Sequence, residues 1–402
     1  MKTGVGGFQS NRLTQAREAL GLTKVALATL VNVSGATITQ WESGKQNPQE
    51  DKLQLLANAL GQSAHWFLKP MPHNSSTPYF FRSLSAATKS GRTVTKIKLD
   101  WLAEIAGILE KYVDWPSLNL PKSEKSVQAI SDIEIEELAN QFRDKLKLGR
   151  GPIKDLMLAV ESAGVICGRS EIGFDKLDGL SNWQNGGKRA FILLSTDKQN
   201  AIRSRFDLAH ELGHMILHAN VAVQDISPTI HKEIERQANL FAGALLMPAE
   251  SFARDISRPT LETFLTLKPR WKVSIAAMIY RAHQLEIISE LQKSNLYKNL
   301  SAKGWRLKEP YDDQVQSEKP RLLSRACNML IDAGITKDDL LDQLGLKANV
   351  VEELCELPEG FFKPVDLDSN LISFRGASKN KLRSTQSSDL EPSNVFSFAA
   401  KK

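Results

Sequence analysis

Two histidines and a glutamate at fixed spacing are the residues of this chain best suited to chemistry. His210, Glu211 and His214 form an HExxH pattern inside an apolar segment. On a helix, residues four apart lie on one face, about 6 Å apart along the axis, so both imidazoles can converge on one metal ion. Glu211 can then act on water as a general base without being a ligand itself. The pattern indicates a Zn²⁺ site with hydrolytic chemistry.

A catalytic zinc site needs a third protein ligand, and a nearby histidine is the first possibility. His218 lies four residues beyond His214. If the helix continues, His218 is about 12 Å along the axis from His210, too far to share one ion. A supporting or helix-end role is therefore the preferred interpretation of His218.

A downstream carboxylate is the second possibility. Glu235 lies near the start of a second predicted apolar helix, in which small alanines permit close approach to the first helix. Asn239 lies four residues further on the same face, where it can accept a hydrogen bond from a ligand imidazole and fix its tautomer. Glu233 is a rival but cannot face the site together with Glu235 on one helix. Glu250 follows the helix-breaking Pro248 and is the weaker rival.

These two helices resemble a known family. Residues of about 130–290 are similar to the ImmA/IrrE-type metallopeptidases, gluzincin-like bacterial proteases that act on transcriptional repressors. The residues that carry the resemblance are Arg205, Phe206, the His210–His214 motif, Glu235, Ala238, Asn239, Phe241, Ala242, Leu245–Pro248 and Trp271–Ser274. The resemblance implies His210, His214 and Glu235 as zinc ligands and Glu211 as the catalytic base. Gln237 departs from the pattern, since many relatives carry an acid there, and this removes an alternative ligand.

The residue that stabilises the oxyanion is not evident from the sequence. Tyr280, Arg281 and His283 follow on a later helix, and one of them can supply that contact. Each of the three is more often a structural residue.

A helix-turn-helix pattern occupies residues 12–60. Thr23 is placed to cap a first helix that runs to about Val31, residues 32–34 form the turn, and a recognition helix runs from about Gly35 to Glu42. The segment resembles the lambda-repressor-like (Xre) class. The residues that carry this resemblance are Arg12, Leu13, Leu22, Thr23, Lys24, Leu27, Ala28, Val33, Ser34, Ile38–Lys45 and Pro48.

The resemblance implies DNA as a partner and suggests which residues would meet it. The expected base-reading positions are Gly35, Ala36, Thr37, Thr39 and Gln40. Lys24 and Lys45 are candidates for phosphate contacts, whereas Ile38 and Trp41 belong to the core. Because relatives often place longer polar side chains where this chain has Gly35 and Ala36, a helix-turn-helix used only for protein contact remains an alternative. The basic run of residues 89–98 is either an added phosphate surface or, preferably, a solvated helix face.

The helices and strands predicted around these residues indicate a multidomain, mainly α protein. An all-α helix-turn-helix domain precedes an α+β zincin-like (gluzincin) metallopeptidase domain and a small extension. The predicted divisions are 1–70, the helix-turn-helix domain; 71–128, a linker and helical connector; 129–300, the metallopeptidase; 301–375, the extension; and 376–402, a disordered tail. Predicted strands are 165–167 and 190–194. Predicted helices include 81–112, 131–147, 156–163, 200–219, 231–247, 260–267, 274–285, 320–333 and 337–345.

Composition limits the class of protein. The chain has 402 residues, of which 42% are hydrophobic and 24% charged, as in a globular protein of two or three domains. Its net charge of +6 is a weak hint of an acidic partner. Three distant cysteines predict buried thiols rather than a disulfide framework. With neither a signal peptide nor an apolar run of about 18 residues, a cytoplasmic protein without a membrane partner is expected.

Together these features predict a DNA-binding transcriptional regulator with zinc-dependent endopeptidase activity, whose protein substrate is a repressor or an antitoxin. A homodimer is possible, because helix-turn-helix proteins commonly read paired half-sites. Two alternatives remain: a transcription factor whose zincin fold is a non-proteolytic sensor, and the protease of a toxin–antitoxin or phage-immunity module. The intact Glu211 argues against the sensor, since a purely sensory metal site needs no general base.

Overall fold

A small mixed sheet separates two layers of helices. The structure is a computed structural model and describes residues 4–71, 78–81, 88–174, 177–184, 186–198 and 200–363. The strands are β1 (Phe80–Phe81), β2 (Ile166–Ser170), β3 (Gly179–Gln184) and β4 (Arg189–Ser195). They are ordered β1-β3-β4-β2; β2 is parallel to β4, and the other neighbouring pairs are antiparallel.

The first helical layer combines the helix-turn-helix region with the C-terminal extension. Its helices are α1 (Ser10–Ala19), α2 (Lys24–Leu30), α3 (Gly35–Glu42), α4 (Glu50–Leu60), α5 (Lys89–Leu109), α14 (Leu322–Asp332), α15 (Lys337–Leu344) and α16 (Ala348–Leu354). They share one apolar core with the sheet face formed by Ile166, Leu180, Phe191 and Leu193. The extension, distant in sequence, therefore helps to bury the N-terminal region.

The second layer carries the candidate site. Its helices are α6 (Asp132–Lys145), α7 (Leu156–Ser162), α8 (Ala201–Leu217), α9 (Pro228–Leu246), α10 (Ala249–Asp255), α11 (Leu261–Trp271), α12 (Ile275–Gln284) and α13 (Glu290–Ala302). They pack on the opposite sheet face, which presents Cys167, Trp183, Ile192 and Leu194. Alternate residues of β4 thus enter different cores, as expected of a strand buried on both faces.

A buried ion pair ties the helix-turn-helix region to α5. Arg12 of α1 contacts both carboxylate oxygens of Glu104, at 2.7 and 2.6 Å. The Arg12 side chain is fully buried and its guanidinium also lies 4.6 Å from the centroid of the Trp66 ring. Because bidentate pairing fixes both side chains, α1 is held in one position on α5.

Most predicted elements are observed with ends shifted by a few residues. The mainly α, multidomain fold is confirmed. The continuous helical region predicted over 81–112 is wrong at its start, because Phe81 lies in β1 and α5 begins at Lys89. Strand β3 was not predicted: its sequence, GLSNWQ, contains no β-branched residue and no simple alternation. Helices α10, α13 and α16 were also not predicted.

Other sequence-based expectations have mixed outcomes. The three cysteines are buried free thiols, as predicted. In the basic run, Lys98 donates to Ser170 Oγ at 2.7 Å and Lys96 lies over the ring of Tyr79, so these two lysines serve internal contacts. Across the described residues, no helix is both long and apolar enough to cross a membrane. The tail predicted to be disordered, 376–402, lies outside the described residues.

Candidate metal centre

Two histidines of α8 and one glutamate of α9 converge on a single point. Ligand atoms of His210, His214 and Glu235 all lie within 4.8 Å of one another. The two Nε2 atoms are 3.0 Å apart. Glu235 Oε2 lies 3.5 Å from Nε2 of His210, and its Oε1 lies 3.4 Å from Nε2 of His214. The structure thus brings together the three residues that the resemblance implies.

The close approach of α8 and α9 depends on small residues. A Cβ at Gly213 would lie 3.1 Å from the Phe241 ring and 3.3 Å from the Cα of Ala238. Glycine at this position therefore lets the backbones approach closely enough for Glu235 to reach both imidazoles. The apolar faces of both helices are buried in the surrounding core.

The rival carboxylates lie elsewhere. Glu233 accepts hydrogen bonds from Arg236 and Gln237. Glu250 is 82% exposed and pairs with Arg254 one turn on. Of the acids left open by the sequence, Glu235 alone among the described residues joins the histidine pair.

Asn239 supports one imidazole, as its spacing suggests. Its Oδ1 lies 3.2 Å from Nδ1 of His210, while its Nδ2 donates to the backbone oxygen of Glu235 at 2.8 Å. Since Nδ2 is used as the donor, Oδ1 must accept the Nδ1 proton of His210. The lone pair of His210 is then on Nε2, which faces His214 and Glu235.

A second relay supports the other imidazole and runs through His218. Gln237 donates its Nε2 to the backbone oxygen of Val127 at 2.8 Å, so its Oε1 accepts from Nε2 of His218 at 3.0 Å. Nδ1 of His218 must therefore accept from Nδ1 of His214, 3.1 Å away. This places the lone pair of His214 on Nε2. Burial lowers the pKa of His218 to about 3, so His218 is neutral.

The candidate base Glu211 is fully buried between α8 and β3. Ser181 of β3 donates its hydroxyl to Glu211 Oε2 at 2.6 Å. A Cβ on Gly179 of the same strand would lie 3.0 Å from Glu211 Oε1 and 3.1 Å from its Cγ. Gly179 therefore leaves the space that the Glu211 side chain fills. Sequence reasoning missed both β3 residues, because neither carries a motif that points to the site.

The donor set fits a zinc ion. Two imidazole nitrogens and one carboxylate are ligands that zinc prefers, and three protein ligands are typical of catalytic sites. Both imidazoles direct Nε2 lone pairs toward one point, with their Nδ1 protons engaged in hydrogen bonds. Burial acts to raise the pKa of Glu235, but the neighbouring imidazoles of His210 and His214 outweigh burial and hold that pKa below its ordinary value. Glu235 is thus a carboxylate, as a ligand must be.

A cavity of about 400 Å³ opens beside Asn239. Phe206 of α8 and Tyr280 of α12 line it, and Tyr280 is substantially exposed. Of the other residues suggested for oxyanion contact, Arg281 is buried and paired with Glu136, while His283 Nε2 lies 3.0 Å from Glu290. Tyr280 is therefore the one of the three whose surroundings suit a substrate contact.

Side-chain caps and one ion pair hold the helices of the helix-turn-helix region. Thr23 caps α2 and Ser34 caps α3, each accepting a hydrogen bond from a backbone N–H of the first turn. The guanidinium of Arg17 donates to both carboxylate oxygens of Glu42, from Nε to Oε1 at 2.6 Å and from Nη2 to Oε2 at 3.3 Å. This pair fixes α1 against α3.

The predicted readers and core residues of α3 lie on different sides. Ile38 and Trp41 are buried, as predicted. Exposed positions include Ala36, Thr39, Gln40 and Lys45, while Gly35 and Thr37 are partly exposed. Lys24 Nζ lies 3.0 Å from Glu42 and is still 42% exposed. The described surface of α3 is therefore accessible to a macromolecular partner.

Comparisons with known families agree with this arrangement. The family model for the IrrE N-terminal-like domain, peptidase M78, matches residues 161–283. A helix-turn-helix family model matches residues 13–67. The chain joins an M78-type metallopeptidase domain to a DNA-binding helix-turn-helix domain. A search of curated proteins finds no match.

The matched regions contain the residues that the geometry brings together. All three converging ligand groups and Glu211 fall inside the M78 match, as do β2, β3 and β4. The M78 family is one of zinc-dependent peptidases, which accords with the donor set. Helices α1 to α4 fall in or overlap the helix-turn-helix match. A metallopeptidase-type regulator that binds DNA is the function class that follows.

Proposed function

We propose that this protein is a DNA-bound transcriptional regulator that cleaves a repressor-type protein with a zinc-dependent endopeptidase centre. The convergence of His210, His214 and Glu235 beside a buried Glu211 is the observation that carries the proposal. The protein acts in the cytoplasm, with a protein substrate and DNA as partners. We also propose the domain divisions 1–70, 71–128, 129–300 and 301–375.

His210, His214 and Glu235 hold the zinc ion. When bound, the zinc supplies Lewis acidity, which acidifies water and polarises a scissile carbonyl. Asn239 and His218 keep the two imidazoles in the tautomers that present Nε2 to the metal.

Glu211 is the general base and then the general acid. Its carboxylate accepts a proton from the attacking water and delivers that proton to the leaving amine nitrogen. The Ser181 hydroxyl keeps the carboxylate in place through its 2.6 Å hydrogen bond to Oε2. Tyr280 is the residue we assign to the oxyanion, because it lines the cavity beside Asn239. The presence of Glu211 also supports hydrolysis rather than a sensory role, because a purely sensory metal site needs no general base.

The helix-turn-helix domain directs the protein to DNA. Gly35, Ala36, Thr37, Thr39 and Gln40 face the base edges in this proposal, with Gln40 suited to adenine. Lys24 and Lys45 contact phosphates. Two copies would read paired half-sites as a homodimer.

Metal analysis tests the centre directly. We expect about one zinc per chain in the wild type, purified with zinc present, and little in His210→Ala or Glu235→Ala. Matched controls are His65→Ala and Glu250→Ala, which remove an exposed histidine and an exposed carboxylate and should keep the metal. A wild type that binds no zinc, or a Glu235→Ala that binds it as tightly as the wild type, would contradict the ligand set.

Activity requires a separate variant. Glu211→Gln should retain zinc but lose cleavage of a casein substrate by a factor of roughly 100 or more. Equal cleavage by Glu211→Gln and wild type would exclude Glu211 as the base.

A further inference from the structure

A strand from the segment between the two domains covers the edge of the sheet beside the metal centre. The strand β1 is only two residues long, and it pairs antiparallel with β3. In its register, Phe80 lies opposite Ser181 and Phe81 lies opposite Leu180. Ser181 is the residue that hydrogen-bonds Glu211, so β1 lies directly beside the candidate base.

The side chain of Phe80 reaches the centre itself. Its ring is stacked on the His214 ring, with centroids 5.0 Å apart and planes 10° from parallel. It also lies 5.9 Å from the centroid of His218. With an exposure of 4%, Phe80 fills a buried pocket that the rings of His214 and His218 help to form, called here the seat of Phe80.

Residues on the opposite side hold β1 in place. Tyr79 donates its hydroxyl to Asp100 Oδ1 on α5 at 2.6 Å, and Lys96 Nζ lies 4.6 Å from the Tyr79 ring centroid. Asn182 of β3 donates its side-chain amide to the backbone oxygen of Pro78 at 2.9 Å. These contacts tie an otherwise very short strand to both β3 and α5.

The outer edge of β3 has the properties of a peptide-binding edge. A strand edge offers backbone N–H and C=O groups that pair with any extended peptide, while pockets for alternate side chains give specificity. Here the edge runs past Ser181 and Glu211, and the pocket is the seat of Phe80. An extended substrate paired with β3 would therefore pass the residues that cleave it.

We propose that the edge of β3 and the seat of Phe80 form a binding site for an extended peptide with an aromatic side chain, which residues 78–81 fill in cis. The chain thereby restrains its own peptidase until β1 leaves the edge. The restraint of cleavage rests on the proposed peptidase function, whereas the binding site does not. A peptide in trans binds only molecules with a vacated edge, so its apparent affinity falls with that fraction.

Peptide binding to the full-length protein tests the proposal. The probe is a fluorescent peptide with the sequence of residues 78–81 between flanking glycines, measured by anisotropy in the Glu211→Gln background to prevent hydrolysis. Phe80→Ala weakens the internal strand, so we expect it to bind the probe roughly ten-fold or more tightly than the parent protein. Equal affinity of the two proteins would overturn the proposal.

Controls separate site occupancy from general destabilisation. Phe264→Ala removes an equally buried phenylalanine from α11 in the same core and should leave probe affinity unchanged. A probe with Asp in place of the residue corresponding to Phe80 should bind neither protein well. If Phe80→Ala fails to fold, Tyr79→Phe carries the test, since it removes the hydroxyl that donates to Asp100 and should raise probe affinity by a smaller factor.

The binding assay requires neither bound zinc nor hydrolysis. Tighter probe binding by Phe80→Ala in a protein without zinc would uphold the binding site and reject the proposed peptidase. Zinc binding and casein cleavage together with unchanged probe affinity would uphold the peptidase and reject the inhibitory strand. If both proposals hold, Phe80→Ala, with Glu211 intact, should also cleave casein several-fold faster than the wild type.

Discussion

Nδ1 of His214 and Nδ1 of His218 lie 3.1 Å apart, so one imidazole holds another in the tautomer that a metal ligand needs. Gln237 fixes the direction of this hydrogen bond from the far side of His218. A histidine that is too distant to be a ligand of the same ion as His210 thus acquires a role through His214.

We expect His218→Ala to weaken zinc binding by about 10- to 100-fold, because loss of a hydrogen bond to a ligand imidazole has this effect in other metal sites. Competition with a chromogenic chelator measures the affinity. His65→Ala is the control, because this exposed histidine belongs to the N-terminal region and lies outside the relay. An unchanged zinc affinity in His218→Ala would remove His218 from the centre.

Gly179→Ala tests the space in which Glu211 lies. The new Cβ would lie 3.0 Å from Glu211 Oε1, so the carboxylate that Ser181 holds must move by a few tenths of an ångström. We expect a fall in kcat of at least about ten-fold with zinc content preserved, since small displacements of a catalytic group are costly. Casein cleavage and metal analysis on one preparation measure both quantities.

Gly107→Ala is the matched control for that substitution. Gly107 lies on the exposed side of α5, and a Cβ there meets nothing within 4 Å. Alanine should stabilise the helix by about 0.5–1 kcal/mol and leave cleavage unchanged. Equal activity of the two glycine variants would contradict the role of Gly179.

Removal of one partner from the Arg12–Glu104 pair should destabilise the protein strongly. Arg12→Met leaves Glu104 buried without its guanidinium, and we expect a loss of about 3–5 kcal/mol in the free energy of unfolding. The double variant Arg12→Met with Glu104→Met should recover much of that loss, because it leaves no buried charge. Urea denaturation measures both; a double variant no more stable than the single one would contradict this account.

DNA binding should respond differently to Gln40→Ala and Lys45→Ala. A base-reading Gln40 predicts a loss of about 1–3 kcal/mol for the preferred sequence alone. A phosphate-binding Lys45 predicts a similar loss of binding free energy for all sequences. It also predicts that the slope of log K against log salt concentration falls in magnitude by about one. Binding isotherms on a selected operator and on random DNA distinguish the two. Lys232→Ala, an exposed lysine of α9, is the control and should alter neither.

Local periodicity was sufficient to predict the ligand-bearing helices. His210 and His214 share one face of α8 because they are four residues apart, and Glu235 and Asn239 share one face of α9 for the same reason. Caps are equally local: Thr23 and Ser34 begin α2 and α3 where the sequence indicates. Such features depend on neighbours along the chain, so the sequence alone determines them.

Long-range contacts were decided only by the tertiary structure. Ser181 and Gly179 reach Glu211 across the sheet, and Phe80 reaches His214 from a segment that the sequence presents as a linker. The extension after residue 301 packs with the N-terminal region in one core, which no periodic pattern indicates. Periodicity also does not decide the burial of every apolar side chain: Leu20, directly after α1, is 54% exposed. The pairing of distant segments depends on the sum of many weak contacts over the whole fold, and a motif that spans a few residues does not contain that information.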